Sequence, residues 1–317
     1  MIIYNPGIKP KNRHLQSYLA SSKIRLLRIK YNNPIATLSQ EIILQTRDAT
    51  LQGFITKNKD ASSLYILLHG WEGSANSTYI QILANILFKQ KKATVFRLNF
   101  RDHGDTHHLN EDLFHSCRLR EVVDAIKQIT TDYPHKNVYI CGFSLGANFS
   151  LRVAAKAYKE NISLKKVFAI SPPINPKNSM LAIEKSKMYS KYFMKKWQKS
   201  LAKKYKIHPQ NMQGYDFRSI TSLDKLTQVL IIKHSEYSTT DEYFRAYQIT
   251  EKIINQIKIP CEVIASWDDP VIPIDDFAIL EKRKNIKLIT TKYGGHCGFI
   301  NNWKMHSWIE KYIMENS

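Results

Sequence analysis

A serine, a histidine and two neighbouring aspartates are the side chains in this sequence best suited to acyl chemistry. Ser144 lies in Gly142-Phe-Ser-Leu-Gly146, a G-x-S-x-G pattern that follows a strand-like run at 138–141 and opens a helix-like run at 145–159. A serine there sits on a sharp strand-to-helix turn, and small residues two before and two after let strand and helix approach closely. The hydroxyl then projects near the positive end of the helix. A hydroxyl is a weak nucleophile until a neighbouring base takes its proton. His296, in Tyr293-Gly-Gly-His-Cys-Gly298, is the candidate base, in a loop with little bulk to obstruct it. The candidate acids are Asp268 and Asp269, in Trp267-Asp-Asp-Pro-Val-Ile-Pro273. A carboxylate in that role holds the imidazole tautomer and stabilises its protonated form.

Acyl chemistry also needs donors for the developing oxyanion. Leu67-Leu-His-Gly-Trp-Glu-Gly-Ser74 follows a strand-like run, and its H-G turn suits a backbone N–H aimed at that charge. The expected donors are the N–H groups of Trp71 and Leu145. A plain strand-to-helix turn would use Gly70 and Gly73 equally well. His103, His107, His108 and His115 cluster after another strand-like run. His103 and His107 stand four residues apart, but in a loop-like stretch with Gly104 and not on a helix, and no H-E-x-x-H is present, so loop packing or a substrate-facing role is expected and no metal or cofactor is assigned.

These residues need a frame. Strand-like runs fall at 41–46, 51–56, 63–68, 94–99, 138–141, 166–170, 260–265 and 287–290, the first two joined by a hairpin turn at 47–50. Helix-like stretches at 77–90, 117–131, 145–159, 240–257, 275–282 and 301–315 separate the later strands. This alternation predicts an α/β fold, a mostly parallel eight-stranded sheet with helices on both faces. Both the acid segment and the His296 segment then follow strands, at the strand ends where open α/β sheets build their sites. The stretch 174–234 breaks the alternation, with a further strand expected only at 228–233. Tyr189, Phe193, Trp197, Leu201 and Tyr205 recur every fourth residue there, and lysines, Lys204 among them, fill the other faces. We read 174–234 as a helical cap inserted into a core of 1–173 and 235–317. Its stripe suits a packing face, an acyl-binding cleft or a membrane-surface helix.

The remaining properties set bounds. The 317 residues suffice for one domain plus an insertion, and 43% hydrophobic residues exclude a disordered chain. The net charge of +20 comes from lysines spread throughout, which fits compositional drift or weak association with an anionic membrane surface. Nucleic acid is disfavoured, because strand ends lack an aromatic-plus-basic pattern. Cys117, Cys141, Cys261 and Cys297 form no C-x-x-C pair and read as reduced thiols of a cytoplasmic protein. The opening Met1-Ile-Ile-Tyr-Asn-Pro lacks the features of a signal peptide.

The motifs together resemble the α/β-hydrolase superfamily and, within it, the YheT-like branch of predicted esterases related to eukaryotic abhydrolase-domain lipases. Asn12-Arg-His-Leu-Gln-Ser17 is similar to that branch's N-x-H-L-Q-T, and His69-Gly-Trp-Glu-Gly-Ser74 to its H-G-L-E-G-S. Asn99-Phe-Arg101 resembles its N-F-R, and Gly295-His-Cys-Gly-Phe299 its G-H-x-G-F. The superfamily places its residues in the order Ser, acid, His, with the acid often before a Pro-Val-Ile-Pro run, which favours Asp269. The resemblance implies hydrolysis of a small-molecule carboxylic ester, often a lipid or medium-chain acyl ester, with a helical cap and no cofactor. Some relatives transfer the acyl group to an alcohol instead. The turn Arg101-Asp-His-Gly104 and the lysine-rich cap depart from the branch pattern. A non-catalytic, basic membrane-binding protein is the competing reading. A dehalogenase would need a carboxylate where Ser144 stands.

Overall fold

The computed structural model describes residues 11–30, 33–212 and 216–317, so the opening hexapeptide lies outside the described residues. The chain begins with α1 (Arg13–Ser21), a 3-10 helix (Lys23–Ile29) and α2 (Pro34–Leu38). It continues through β1 (Gln40–Gln45), β2 (Thr50–Thr56), β3 (Ser63–Leu68), α3 (Thr78–Gln90), β4 (Thr94–Asn99) and α4 (Leu119–Asp132). Next come β5 (Asn137–Phe143), α5 (Leu145–Ala157) and β6 (Lys166–Ile170). The helices α6 (Pro176–Lys185), α7 (Lys187–Ile207), α8 (Leu223–His234) and α9 (Thr240–Ala246) follow. The chain closes with α10 (Glu251–Gln256), β7 (Cys261–Ser266), β8 (Ile286–Thr291) and α11 (Trp308–Asn316).

The eight strands form one sheet in the order β1-β2-β4-β3-β5-β6-β7-β8. β2 runs antiparallel to β1 and β4, and the remaining pairs are parallel. Successive strand side chains point to opposite faces, and β3 shows the consequence. Leu64, Ile66 and Leu68 join the core beneath α4, α5 and α10, while Tyr65 and Leu67 join the core beneath α3 and α11. With both faces covered, β4 is buried at every position. The C-terminal ends of β3, β5, β7 and β8 consequently lie along one rim of the sheet.

All eight expected strands are present, with ends shifted by at most two residues. The expected hairpin turn is there too, closed by Thr46 N–H donating to the Ala49 carbonyl at 2.8 Å. The expected strand at 228–233 is instead part of α8. Val229, Ile231 and Ile232 read as a strand, but Leu223, Leu226, Leu230 and Ile231 are buried at helical spacing, and the Ser222 side chain caps the helix by accepting from Lys225 N–H. The expected helix at 240–257 is two helices. Ile249 N–H leaves the helical pattern to donate to the Ile174 carbonyl at 2.9 Å, and Thr250 then caps α10. The segment 275–282 forms a 3-10 helix (Ile274–Leu280), and the last helix starts only at Trp308 because Asn301 N–H and the His306 carbonyl close a turn before it. Among the described residues, no helix is long and apolar enough to cross a membrane.

Candidate active site

Ser144 sits between β5 and α5 with φ 52° and ψ −119°, a conformation that L-residues rarely adopt and that costs of order 1–3 kcal/mol. Its N–H donates to the Ile170 carbonyl at 2.8 Å, which ties the turn to β6. The flanking glycines explain why the turn can close. A Cβ on Gly142 would lie 2.3 Å from the Gly146 carbonyl oxygen, and one on Gly146 would lie 2.4 Å from that of Leu68. Gly146 thus lets α5 press against the end of β3 as well as its own strand.

The three expected side chains meet. His296 Nε2 lies 2.9 Å from Ser144 Oγ, and His296 Nδ1 lies 2.9 Å from Asp269 Oδ2. Because a carboxylate can only accept, Nδ1 carries the proton and the Nε2 lone pair faces the serine hydroxyl. Asp269 is itself held by the N–H groups of Val271 and Ile272, which donate to its Oδ1 at 2.8 and 3.0 Å. Burial pushes the His296 imidazole down, but the Asp269 carboxylate with its hydrogen bond, together with the neighbouring Cys297, outweighs it, and the net shift is well above the usual histidine range.

Asp268 does something different. Its Oδ1 accepts from Gly295 N–H at 2.9 Å, so it braces the histidine loop and does not touch the imidazole. Its Oδ2 is buried without a partner, and burial pushes its carboxyl up. The N-terminal motif braces the same loop. Ser17 Oγ accepts from His296 N–H at 2.8 Å, while Gln16 accepts from Ile300 N–H and donates to the Ile300 carbonyl. A Cβ on Gly295 would meet the Arg13 carbonyl oxygen at 2.4 Å, and one on Gly298 the Gln16 carbonyl oxygen at 2.3 Å. The two motifs, about 280 residues apart, are two halves of one contact.

The turn after β3 lies beside the serine: a Cβ on Gly70 would be 3.2 Å from Ser144 Cβ. The Gly70 carbonyl accepts from His69 Nδ1 at 2.8 Å and from Gly73 N–H at 3.0 Å. His69 Nε2 accepts from Phe100 N–H, which fixes the proton on Nδ1, and complete burial holds the imidazole neutral, its pKa far below the usual range. A trans peptide points N–H opposite to C=O, so anchoring that carbonyl also orients Trp71 N–H. Among the described residues, no group takes up the N–H of Trp71 or Leu145. Sequence reasoning missed His69, Ser17 and Asp268 as positioning residues. The H-G pair was a signal for the first of them, and the N-terminal motif for the second.

Ser144 and His296 open into a cavity of ≈ 620 Å³. Its far wall comes from α6, α7 and α8, with Tyr189, Phe193, Trp197 and Leu201 of the expected stripe all facing it. Trp71 stacks on Phe193 with centroids 5.3 Å apart and meets Trp197 edge-on at 5.1 Å. Tyr205, the last member of the stripe, points to solvent instead. Lys204, expected on a solvated face, is buried. Its Nζ donates to Asp102 Oδ1 at 2.8 Å and to the carbonyls of His107 and Asn110, which fastens α7 to the loop after β4. Glu72 also lines the cavity, and burial pushes its carboxyl up to about 8.

The histidines after β4 serve separate ends. His103 Nδ1 donates to the Arg101 carbonyl, His107 hydrogen-bonds Ser200 of α7, His115 packs near Tyr237 and Tyr243, and His108 is exposed. Among the described residues, no three His, Cys, Asp or Glu side chains form a group able to hold a metal ion.

A family model described as alpha/beta hydrolase fold matches residues 66–302. An abhydrolase domain-containing protein of Dictyostelium discoideum is 25% identical, the alignment covering 99% of this chain and 80% of that protein. The medium-chain fatty acid ethyl ester synthase/esterase 2 of Saccharomyces cerevisiae is also 25% identical, over 80% of this chain and only 61% of its own length. Of solved structures, the esterase Pf2001 of Pyrococcus furiosus superposes with a TM-score of 0.59 at 19% identity, covering 87% of this chain and 88% of that one. An esterase of Pyrobaculum calidifontis gives 0.58 at 17% identity over 97% and 98%. At such identities the structural likeness concerns the fold alone.

Proposed function

The chain belongs to the alpha/beta hydrolase fold family, and from that premise we propose that it is a carboxylic ester hydrolase working through an acyl-enzyme on Ser144. The observation that carries this reading is the unbroken path from Asp269 through His296 to Ser144, each step 2.9 Å. The esterase and lipase names of several relatives support the same reaction class.

In the proposed cycle, Ser144 Oγ attacks the ester carbonyl as its proton passes to His296 Nε2. The carbonyl oxygen becomes an oxyanion facing the N–H groups of Trp71 and Leu145. Collapse of the tetrahedral adduct breaks the bond to the alkoxy oxygen, which leaves as the alcohol with the proton held on His296. Water then repeats the sequence: His296 takes its proton, the hydroxide oxygen bonds to the acyl carbon, and Ser144 regains its proton as the acid departs. The Asp269 carboxylate offsets the charge of the imidazolium.

We take 174–234 as the cap, and the apolar wall of Phe193, Trp197 and Leu201 as the acyl-chain site, so chains longer than acetate should be preferred. The finer placement in the YheT-like branch rests on the short motifs. Four free thiols fit a reducing compartment such as the cytoplasm. Labelling with a fluorophosphonate probe, wild type against Ser144→Ala, tests the proposal. The wild type should be labelled and the variant not; a folded wild type that resists the probe would end the esterase reading.

A further inference from the structure

The mouth of the cavity carries side chains that the chemistry does not use. Leu15 and Tyr18 of α1 and Met188 and Tyr192 of α7 all line the cavity, yet they are 44, 69, 53 and 44% exposed. The two helices meet there, with His14 Nδ1 3.0 Å from the Tyr189 hydroxyl. Large apolar side chains gathered around an opening and left in water mark a surface that meets something apolar.

The charge carried by the two helices themselves has one sign. α7 buries one half of its circumference against the cavity and the loop after β4. Its other half exposes Lys187, Lys191, Lys195, Lys199, Lys203 and Lys206, with Met188 and Tyr192 at the border between the lysines and the cavity. Lys11, Arg13 and Lys23 are exposed at and near the ends of α1. The 27 acidic residues of the chain all fall outside residues 1–40 and outside α7, a segregation that uniform drift in composition would not produce. Asp105 does reach Lys203, but towards the far end of α7 from the mouth.

We infer that this rim is a docking surface for an anionic lipid bilayer, on which Leu15, Tyr18, Met188 and Tyr192 enter the interface while the lysines engage the headgroups. An apolar cluster flanked by cationic helix faces is the pattern of an interfacial helix. The lysines contribute roughly fivefold each in affinity near such a surface. The inference rests on the ester-cleaving reading for its purpose: a substrate leaving the bilayer acyl chain first would pass straight into the cavity.

Sedimentation of the full chain with vesicles tests it. Vesicles of phosphatidylcholine containing one-third phosphatidylserine should bind the protein, and pure phosphatidylcholine much less, with binding falling steeply as salt rises. A Lys187→Gln, Lys191→Gln, Lys195→Gln triple variant should bind about a hundredfold more weakly. The corresponding triple Lys→Arg variant should bind like the wild type. Both should retain fluorophosphonate labelling and turnover of water-soluble p-nitrophenyl acetate, which shows that they are folded. Equal wild-type binding to neutral and anionic vesicles, or undiminished binding by the glutamine variant, overturns the docking surface. Failure of wild-type labelling strikes the esterase reading instead and leaves the vesicle result intact.

Discussion

The cavity wall formed by the strand ends and the wall formed by α6–α8 differ in what holds them. On the strand-end wall, short hydrogen bonds fix the candidate site groups: Asp269 by two backbone N–H groups, His296 by Asp269 and Ser17, and the Gly70 carbonyl by His69. On the helical wall, stacked rings and aliphatic side chains supply the contacts, and the deepest polar anchor is the pair of Lys204 with Asp102. Directional bonds fix position to fractions of an ångström, whereas apolar packing tolerates substitution of similar volume. One wall is thus suited to a fixed reaction and the other to a variable substrate.

Mutations can break that contrast, and the strand-end wall should respond most. His296→Ala should lower kcat by about a millionfold, since base and nucleophile act as a unit; p-nitrophenyl butyrate turnover measures this. A residual rate near that of the wild type would mean the geometry is not used. Asp269→Asn should cost about ten-thousandfold by favouring the wrong imidazole tautomer. Asp268→Asn, which keeps an acceptor for Gly295 N–H, should cost about fivefold or less. Equal losses at the two positions would erase the distinction between orienting and bracing carboxylates.

On the helical wall the largest effect should be on stability. Lys204→Met takes the ammonium from the buried Asp102 carboxylate, which keeps the Phe114 N–H, at a cost of about 3 kcal/mol of stability, read from the shift of the denaturant midpoint. Adding Asp102→Asn should recover part of it. Trp197→Ala should lower kcat/KM about tenfold for octanoyl esters and little for acetyl esters; a uniform drop across chain lengths would remove Trp197 from the acyl site. The subtlest effect is on pH. His296 must be neutral to accept the serine proton, and Asp269 raises its pKa, so kcat/KM should be lost as pH falls through a midpoint above the usual histidine value. In Asp269→Asn the midpoint should move down, because the carboxylate no longer opposes burial.

The same contrast governs what could be read from the chain. The G-x-S-x-G turn, the H-G turn and the Gly-Gly-His loop are legible because close backbone approach demands glycine at fixed offsets, and a steric demand leaves a sequence mark. The strands were legible for a similar reason, their apolar runs being set by a sheet covered on both faces. The stretch 228–233 misled because β-branched residues suit a strand and a buried helix face alike, and packing against neighbouring helices decided between them. Lys204 misled because a lysine within a lysine-rich helix gives no sign of which one turns inward.

The sequence by itself determined the candidate serine, acid and histidine segments, their order and the strands that carry them, because periodicity and steric demands act over a few residues. Only the tertiary structure decided that Asp269 faces the imidazole while Asp268 braces the loop, that the N-terminal motif underlies the histidine, and that Lys204 locks α7 in place. These choices depend on contacts between segments tens to hundreds of residues apart, and a hydrogen bond's direction is set only once both partners have been brought together.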